Sequence, residues 1–210
     1  MIDLYTWGTP NGRKVSVMLE ELGLPYNTHK VDISKGEQHK PEFLKISPNN
    51  RIPAIVDSDG PGGKPISVFE SGAILIYLAE KAKSKLLPKD SRRRVETLEW
   101  LMWQMGSVGP MFGQAHHFMF NPPEDVPYGK KRYHDEAKRL YKVMNARLGK
   151  TRYLAGDDYT IADIATYPWV QRHPRHHVDL ADYPKVKRWY DEISKRPAVE
   201  KGMQVPFYNI

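Results

Sequence analysis

Asn49-Asn50-Arg51-Ile52-Pro53-Ala54-Ile55-Val56 opens the segment that decides how this chain folds, and Phe69-Glu70-Ser71-Gly72-Ala73-Ile74 closes it. Pro53 stands at the entrance of a short apolar run. Proline cannot donate to a sheet ladder, so it suits the first residue of a strand or an edge. The residue before it, Ile52, is pushed towards extended backbone. Its amide and carbonyl are then left to pair outside the sheet. The closing run reads as a strand that ends on Glu70-Ser71 and turns at Gly72 into an apolar helix. The first N–H groups of a helix and its dipole attract carboxylates and phosphates. An extended backbone beside a helix start suits a short peptide with a free carboxylate. Each piece also has an ordinary use: Ile-Pro is commonly a plain trans linkage, and Ser before a helix is commonly a cap.

Working outward, Ile2-Asp3-Leu4-Tyr5-Thr6-Trp7 alternates as a strand does. Gly8-Thr9-Pro10-Asn11-Gly12 is a turn cluster. Val15, Met18, Leu19 and Leu22 recur at helical spacing, and Gly23 with Pro25 stops that helix. Tyr26 to Ile33 reads as a second strand, Ala54 to Asp57 as a third, Ile66 to Phe69 as a fourth, and Gly72 to Lys81 as the closing helix. A βαβ unit joined to a ββα unit is the thioredoxin layout. In redox proteins of that layout the loop after the first strand carries C-x-x-C at a helix start, where a thiolate is stabilised. Here the loop holds Thr9-Pro10-Asn11, and the whole chain of 210 residues has no cysteine. Disulfides, thiolate metal sites and a cysteine nucleophile are excluded. Any thiol chemistry must use a thiol brought by a ligand.

Beyond Lys83 to Asp90, which reads as a linker, the periodicity is helical throughout. Val95, Leu98, Leu101, Met102 and Met105 mark one helix. Gly106 to Tyr128 is mixed, with Gly and Pro breaks. Tyr133, Ala137, Leu140, Tyr141, Met144 and Leu148 mark a second. Thr160-Ile161-Ala162-Asp163 is a capping-box start with Asp in place of Glu or Gln. Val186, Trp189, Tyr190 and Ile193 mark a last helix, begun by Pro184 and stopped before Pro197. The fold expected is α/β and thioredoxin-like over residues 1–81, then all-α over residues 90–210.

The net charge is +7. The basic knots Arg92-Arg93-Arg94 and Lys130-Lys131-Arg132 lie inside expected helices and read as solvated faces, so neither nucleic acid nor membrane is an expected partner. No apolar run reaches the length of a membrane span. The N-terminus has no basic n-region, and cytoplasm is the expected location. The pairs His116-His117 and His176-His177 lack a carboxylate at ligand spacing, so no metal is expected. Trp100, Trp103, Phe112, Phe118 and Phe120 read as core and pocket wall.

Ile52-Pro53-Ala54, Glu70-Ser71-Gly72-Ala73-Ile74 and Thr160-Ile161-Ala162-Asp163 together resemble the glutathione transferase superfamily over nearly the whole chain. Thr9-Pro10-Asn11-Gly12 and Ser47-Pro48-Asn49-Asn50 look most like its nu class, whose bacterial members are glutathione-dependent disulfide-bond reductases. The resemblance implies glutathione as co-substrate, with up to two molecules in one site, and a homodimer. It implies a cis Pro53 with the Ile52 backbone pairing to the cysteinyl part of glutathione. Glu70 and Ser71 would hold the γ-glutamyl end and Gln38 would touch the glycyl end. Thr9 and Asn11 would face the sulfur as the catalytic pair, and Arg132 would reach an acidic group of the ligand. Tyr5 falls too early for a catalytic tyrosine and alternates with inward Leu4, so it reads as structural. The expected activity is disulfide reduction with some conjugation to electrophiles. The rival is a non-catalytic glutathione-binding or scaffolding protein, which retention of the ligand-contacting residues disfavours.

Overall fold

The computed structural model describes residues 1–120 and 122–206. The chain divides into two compact units, residues 1–84 with the segment from Arg196, and residues 85–195.

The first unit is a four-stranded sheet in the order β2-β1-β3-β4. Strand β1 (Ile2–Thr6) pairs in parallel with β2 (Tyr26–Lys30) and antiparallel with β3 (Ala54–Asp57), which pairs antiparallel with β4 (Ile66–Phe69). Ile2, Leu4 and Thr6 point to the buried face and are covered by α1 (Pro10–Leu22) and α3 (Ser71–Lys81). A short helix, α2 (Pro41–Leu44), lies on the connection between β2 and β3. Gly12 lets α1 start hard against the end of β1: a Cβ there would meet Thr6 Oγ1 at 2.3 Å and the Trp7 carbonyl at 2.4 Å. Strand β2 ends three residues before the expected Ile33. Asp32 accepts from the Ser34 amide at 3.0 Å and turns the chain into a tight 3₁₀ segment over Ile33–Lys35. Tyr5 packs within the first unit. It stacks on His29 at 4.6 Å and packs with Phe43 in a small cluster with Val31 and Ala54.

The C-terminal part departs from the expected boundary. Helix α9 (Pro197–Gly202) belongs to the first unit and lies on α1. The Ser16 hydroxyl donates to the Gly202 carbonyl at 2.7 Å, and Arg196 pairs with Glu21 at 2.7 Å. A Cβ on Gly202 would fall 2.5 Å from Val17 Cα, so glycine permits the close approach. A second glycine requirement and a bidentate ion pair, both set by partners 175 or more residues away in the chain, carry no local sequence signal.

The second unit is helical: α4 (Ser91–Trp103), α5 (Gly109–Met119), α6 (Pro127–Leu148), α7 (Ile161–Val170) and α8 (Pro184–Ser194). Helix α5 corrects the mixed reading of 106–128. A π turn over Gln104–Val108 joins α4 to α5, and Pro110 sits in the first turn of α5 directly after it. Every residue of α7 is buried. Phe112 stacks on Tyr141 at 4.7 Å beside buried His176.

Candidate active site

Pro53 is cis and precedes β3, whose ladder begins at the Ala54–Phe69 pair, so the Ile52 amide and carbonyl lie outside the sheet. The loop leading there is tied by its own bonds. Ser47 donates to the Arg51 carbonyl at 2.7 Å, and the Asn50 amide donates to the Ser47 carbonyl at 2.9 Å. Asn49, the turn residue between them, donates to the Glu70 carboxylate at 3.4 Å.

Glu70 is the residue before α3 and has φ 68° and ψ 113°, a conformation that costs an L side chain roughly 1–3 kcal/mol. Such strain persists where surrounding contacts over-determine it. Helix α3 has no side-chain cap, so its first turn lacks the usual internal acceptor. Ser71 is 4% exposed, and its hydroxyl accepts from Lys14 Nζ at 3.2 Å. Lys14 is 1% exposed. Burial drives its ammonium down to about 7, against the opposing field of the Glu70 carboxylate. The sequence reading passed over Lys14, although a signal was present. Residues 14, 18 and 22 share one helical face with apolar neighbours, so a lysine stands on the buried stripe of α1.

Thr9 caps α1: its Oγ1 accepts from the Gly12 amide at 3.2 Å, which leaves the hydroxyl proton to donate. Asn11 is half-buried in the same first turn. Gln38 lies in a 3₁₀ segment over Glu37–His39 that is held by the Asp32 amide bonded to Glu37 at 2.8 Å. The Gln38 Oε1 is buried and has no hydrogen-bond partner. A buried acceptor left unmade is costly, so it fits a donor brought by a ligand. Arg132 belongs to the other unit and is exposed on α6. The first unit therefore brings seven of the eight expected positions onto loops and helix starts at the ends of its strands: Thr9, Asn11, Gln38, Ile52, Pro53, Glu70 and Ser71. It adds Lys14 and Asn49.

Among the described residues no group of three or more His, Cys, Asp or Glu could hold a metal. His176 is instead a core residue. Its Nδ1 is 3.3 Å from the Tyr141 hydroxyl, and burial, then neighbouring cations, lower its ring to about 3. No helix of the described residues is long and apolar enough to cross a membrane.

A cis-proline strand entrance, an uncapped helix start and a cysteine-free loop after β1 mark a thioredoxin-like domain with no thiol of its own, followed by a helical domain. The chain belongs to the glutathione S-transferase superfamily: the model for the glutathione S-transferase N-terminal domain matches residues 9–81 and that for the C-terminal domain matches 108–197. It is 53% identical over 204 residues to the disulfide-bond oxidoreductase YfcG of Escherichia coli strain K12, a match covering 97% of this chain and 94% of that one. Two solved structures are also similar. One is a glutathione transferase family member from Pseudomonas fluorescens with two glutathione bound, at 47% identity and TM-score 0.92, covering 98% of this chain and 93% of that one. The other is a glutathione transferase from Pseudomonas putida with one glutathione disulfide bound per subunit, at 45% identity and TM-score 0.93, covering 98% and 91%.

Proposed function

We propose that this protein is a glutathione-dependent disulfide-bond oxidoreductase with some glutathione transferase activity. The observation that carries the reading is the loop after β1. A thioredoxin-like domain here offers Thr9 and Asn11 at a helix start, in a chain without cysteine. The site has hydrogen-bond donors and a dipole for a thiolate, and the sulfur must come from the substrate. In this reading the Ile52 backbone pairs with the cysteinyl part of glutathione. Glu70 and Ser71 take the γ-glutamyl end, and Gln38 takes the glycyl end through its unpartnered oxygen. Relatives named for disulfide-bond oxidoreduction, and others that bind glutathione or its disulfide, support it.

The reaction uses two glutathione thiols. The first thiolate attacks one sulfur of a disulfide, forms a mixed disulfide and expels one thiolate. The second attacks the glutathione sulfur of that mixed disulfide and expels the other. Glutathione disulfide forms, the substrate gains two electrons, and the two protons pass to the leaving thiolates. Asn11, helped by Thr9, donates hydrogen bonds that keep the attacking sulfur ionised.

The chain works as a homodimer in the cytoplasm, where thiols are kept reduced. Val95 and Met102, seven residues apart on one face of α4, are 57% and 51% exposed and suit association with a second copy. Sedimentation should return twice the 24.3 kDa chain mass. The function is tested by turnover with reduced glutathione and either a small hydroxyalkyl disulfide or an aryl halide. Faster consumption with the disulfide is expected. Turnover of the aryl halide alone would reassign the enzyme to conjugation, and turnover of neither would favour a binding protein.

A further inference from the structure

Asn11-Gly12 is the only Asn-Gly pair in the chain. An asparagine followed by glycine is the pair most liable to lose its side-chain amide in water, because glycine has no Cβ to shield its own nitrogen. That backbone nitrogen attacks the asparagine Cγ. A new N–Cγ bond closes a five-membered succinimide and the Cγ–Nδ2 bond breaks. The amide nitrogen leaves as ammonia, taking the proton of the attacking N–H. Water then opens the ring at either carbonyl and leaves aspartate or isoaspartate. The balance is asparagine and water to acid and ammonia, with nothing oxidised or reduced. The fold keeps this labile pair in place. A Cβ at residue 12 would meet Thr6 Oγ1 at 2.3 Å and the Trp7 carbonyl at 2.4 Å, so no bulkier and safer residue fits. Two features of the helix start oppose the reaction. The Gly12 amide donates to Thr9 Oγ1 at 3.2 Å, which holds the attacking nitrogen towards the cap. Asn11 lies within α1, where ψ is about −42°, and the ring closes only when residue 11 leaves that well. The Arg13 amide, donating to the Thr9 carbonyl at 3.0 Å, completes the same turn. Thr9 therefore accepts both bonds that keep the pair helical.

We propose that Asn11 is a site of spontaneous deamidation that the Thr9 cap holds in check. Helix ends open more readily than helix middles, and Asn11 is only half-buried. Deamidation proceeds from the opened first turn, so its rate follows how often that turn opens. The cap hydroxyl thereby sets the chemical lifetime of residue 11. Either product puts a negative charge where an amide donor stood, and isoaspartate also adds a methylene to the main chain of the first turn. The modification itself needs only the backbone geometry. Its cost to turnover rests on the glutathione reading given above.

The test incubates the full chain at mildly alkaline pH and physiological temperature and follows residue 11 by peptide mass spectrometry. Asp59-Gly60 can form isoaspartate through the same ring, but only residue 11 of the two loses ammonia. Thr9→Val keeps the shape of the cap and removes its side-chain acceptor. It should deamidate roughly fivefold faster than wild type, the gain in opened turn that loss of a cap produces. Thr9→Ser, which keeps the acceptor, should match the wild type. Wild-type chain unfolded in urea gives the unprotected rate and should be the fastest. Equal rates in folded wild type and Thr9→Val would overturn the protection by Thr9. No loss of amide at residue 11 even in the unfolded chain would overturn the proposal. Should Thr9→Val fail to fold, the wild type still decides: equal folded and unfolded rates refute protection by the helix start. Disulfide turnover of the ageing wild type, measured on the same samples, separates this proposal from the reading it rests on. Turnover that falls in proportion to the amide lost supports both. Amide loss with full turnover leaves the modification standing and overturns the role of Asn11 at the sulfur.

Discussion

The starts of α7 and α3 each combine a hydroxyl residue with an acid, and they use the two in opposite ways. At the start of α7, Thr160 Oγ1 accepts from the Ala162 amide at 3.3 Å. Asp163 accepts from the Thr160 amide at 3.0 Å, the Leu154 amide at 3.0 Å and Trp189 Nε1 at 2.8 Å. Each of these groups meets a partner inside the protein, and the acid is fully buried. At the start of α3 the acid, Glu70, is exposed and strained, the helix has no side-chain cap, and the hydroxyl of Ser71 is held by a buried cation. A helix start that consumes its own donors and acceptors contributes to folding. One that leaves its first turn without a side-chain cap, as α3 does, suits the ligand role proposed for it. The start of α1 lies between the two, since Thr9 caps the helix and still keeps a proton to donate.

The largest effect should come from breaking the closed start. Asp163→Ala strands two buried amides and an indole N–H, each costing about 1–3 kcal/mol. Chemical denaturation should show a loss of about 3 kcal/mol or more, with unchanged glutathione affinity in the molecules that remain folded. The pH dependence gives a second check. Burial lifts the Asp163 carboxyl to about 6, against the donors that lower it, while an unfolded aspartate titrates near 3.9. The folded state holds the proton longer. The stability from this group is therefore full below about pH 4 and is lost as the pH rises through about 6. That slope should vanish in Asp163→Asn.

Breaking the open start should do the reverse. Ser71→Ala removes an acceptor for Lys14 and a contact for the ligand. Glutathione affinity should fall by one to two decades, the equivalent of about 1.5–3 kcal/mol, with a smaller change in unfolding free energy. A stability loss without an affinity loss would make Ser71 a cap like Thr160. Glu70 sharpens the contrast further. Both Glu70→Ala and Glu70→Gly should lose affinity. The glycine variant should be more stable than the alanine variant by about 1 kcal/mol, since glycine accepts φ 68° without a Cβ clash. Equal stabilities would mean that the strain is not real.

The difference between the two helix starts was only half visible in the amino-acid sequence. Both motifs stand out by spacing, as do Ile52-Pro53 and the loss of sulfur at Thr9-Pro10-Asn11, because turns, caps and prolines act locally. Lys14 was passed over because a lysine inside an apolar stripe is read as a solvated interruption unless its partner is known, and Ser71 lies 57 residues away. Helix α5 was obscured by Gly and Pro that the π turn before it accommodates. The return of α9 to α1 depends on Gly202 meeting Val17, a contact that exists only in three dimensions. What stays illegible in each case is a partner distant in the chain.

The smallest expected effect bears on the intermediate case, the start of α1. Asn11 could act on the glutathione sulfur, or it could simply favour the first turn of its helix. Asn11→Asp separates the two, because an acid in the first turn suits the helix dipole at least as well as an amide does. The unfolding free energy should hold or rise slightly. A carboxylate beside the sulfur, by contrast, replaces an N–H donor with a negative charge and disfavours the thiolate. Asn11 is half-buried, so solvent screens part of that charge. A decline in disulfide turnover of about threefold at neutral pH is expected, with the pH–rate profile displaced upward and glutathione affinity little changed. The displacement distinguishes this from a folding defect, since restoring the thiolate at higher pH should recover most of the rate. Unchanged turnover and an unmoved profile in Asn11→Asp would class the start of α1 with that of α7, as a cap and nothing more.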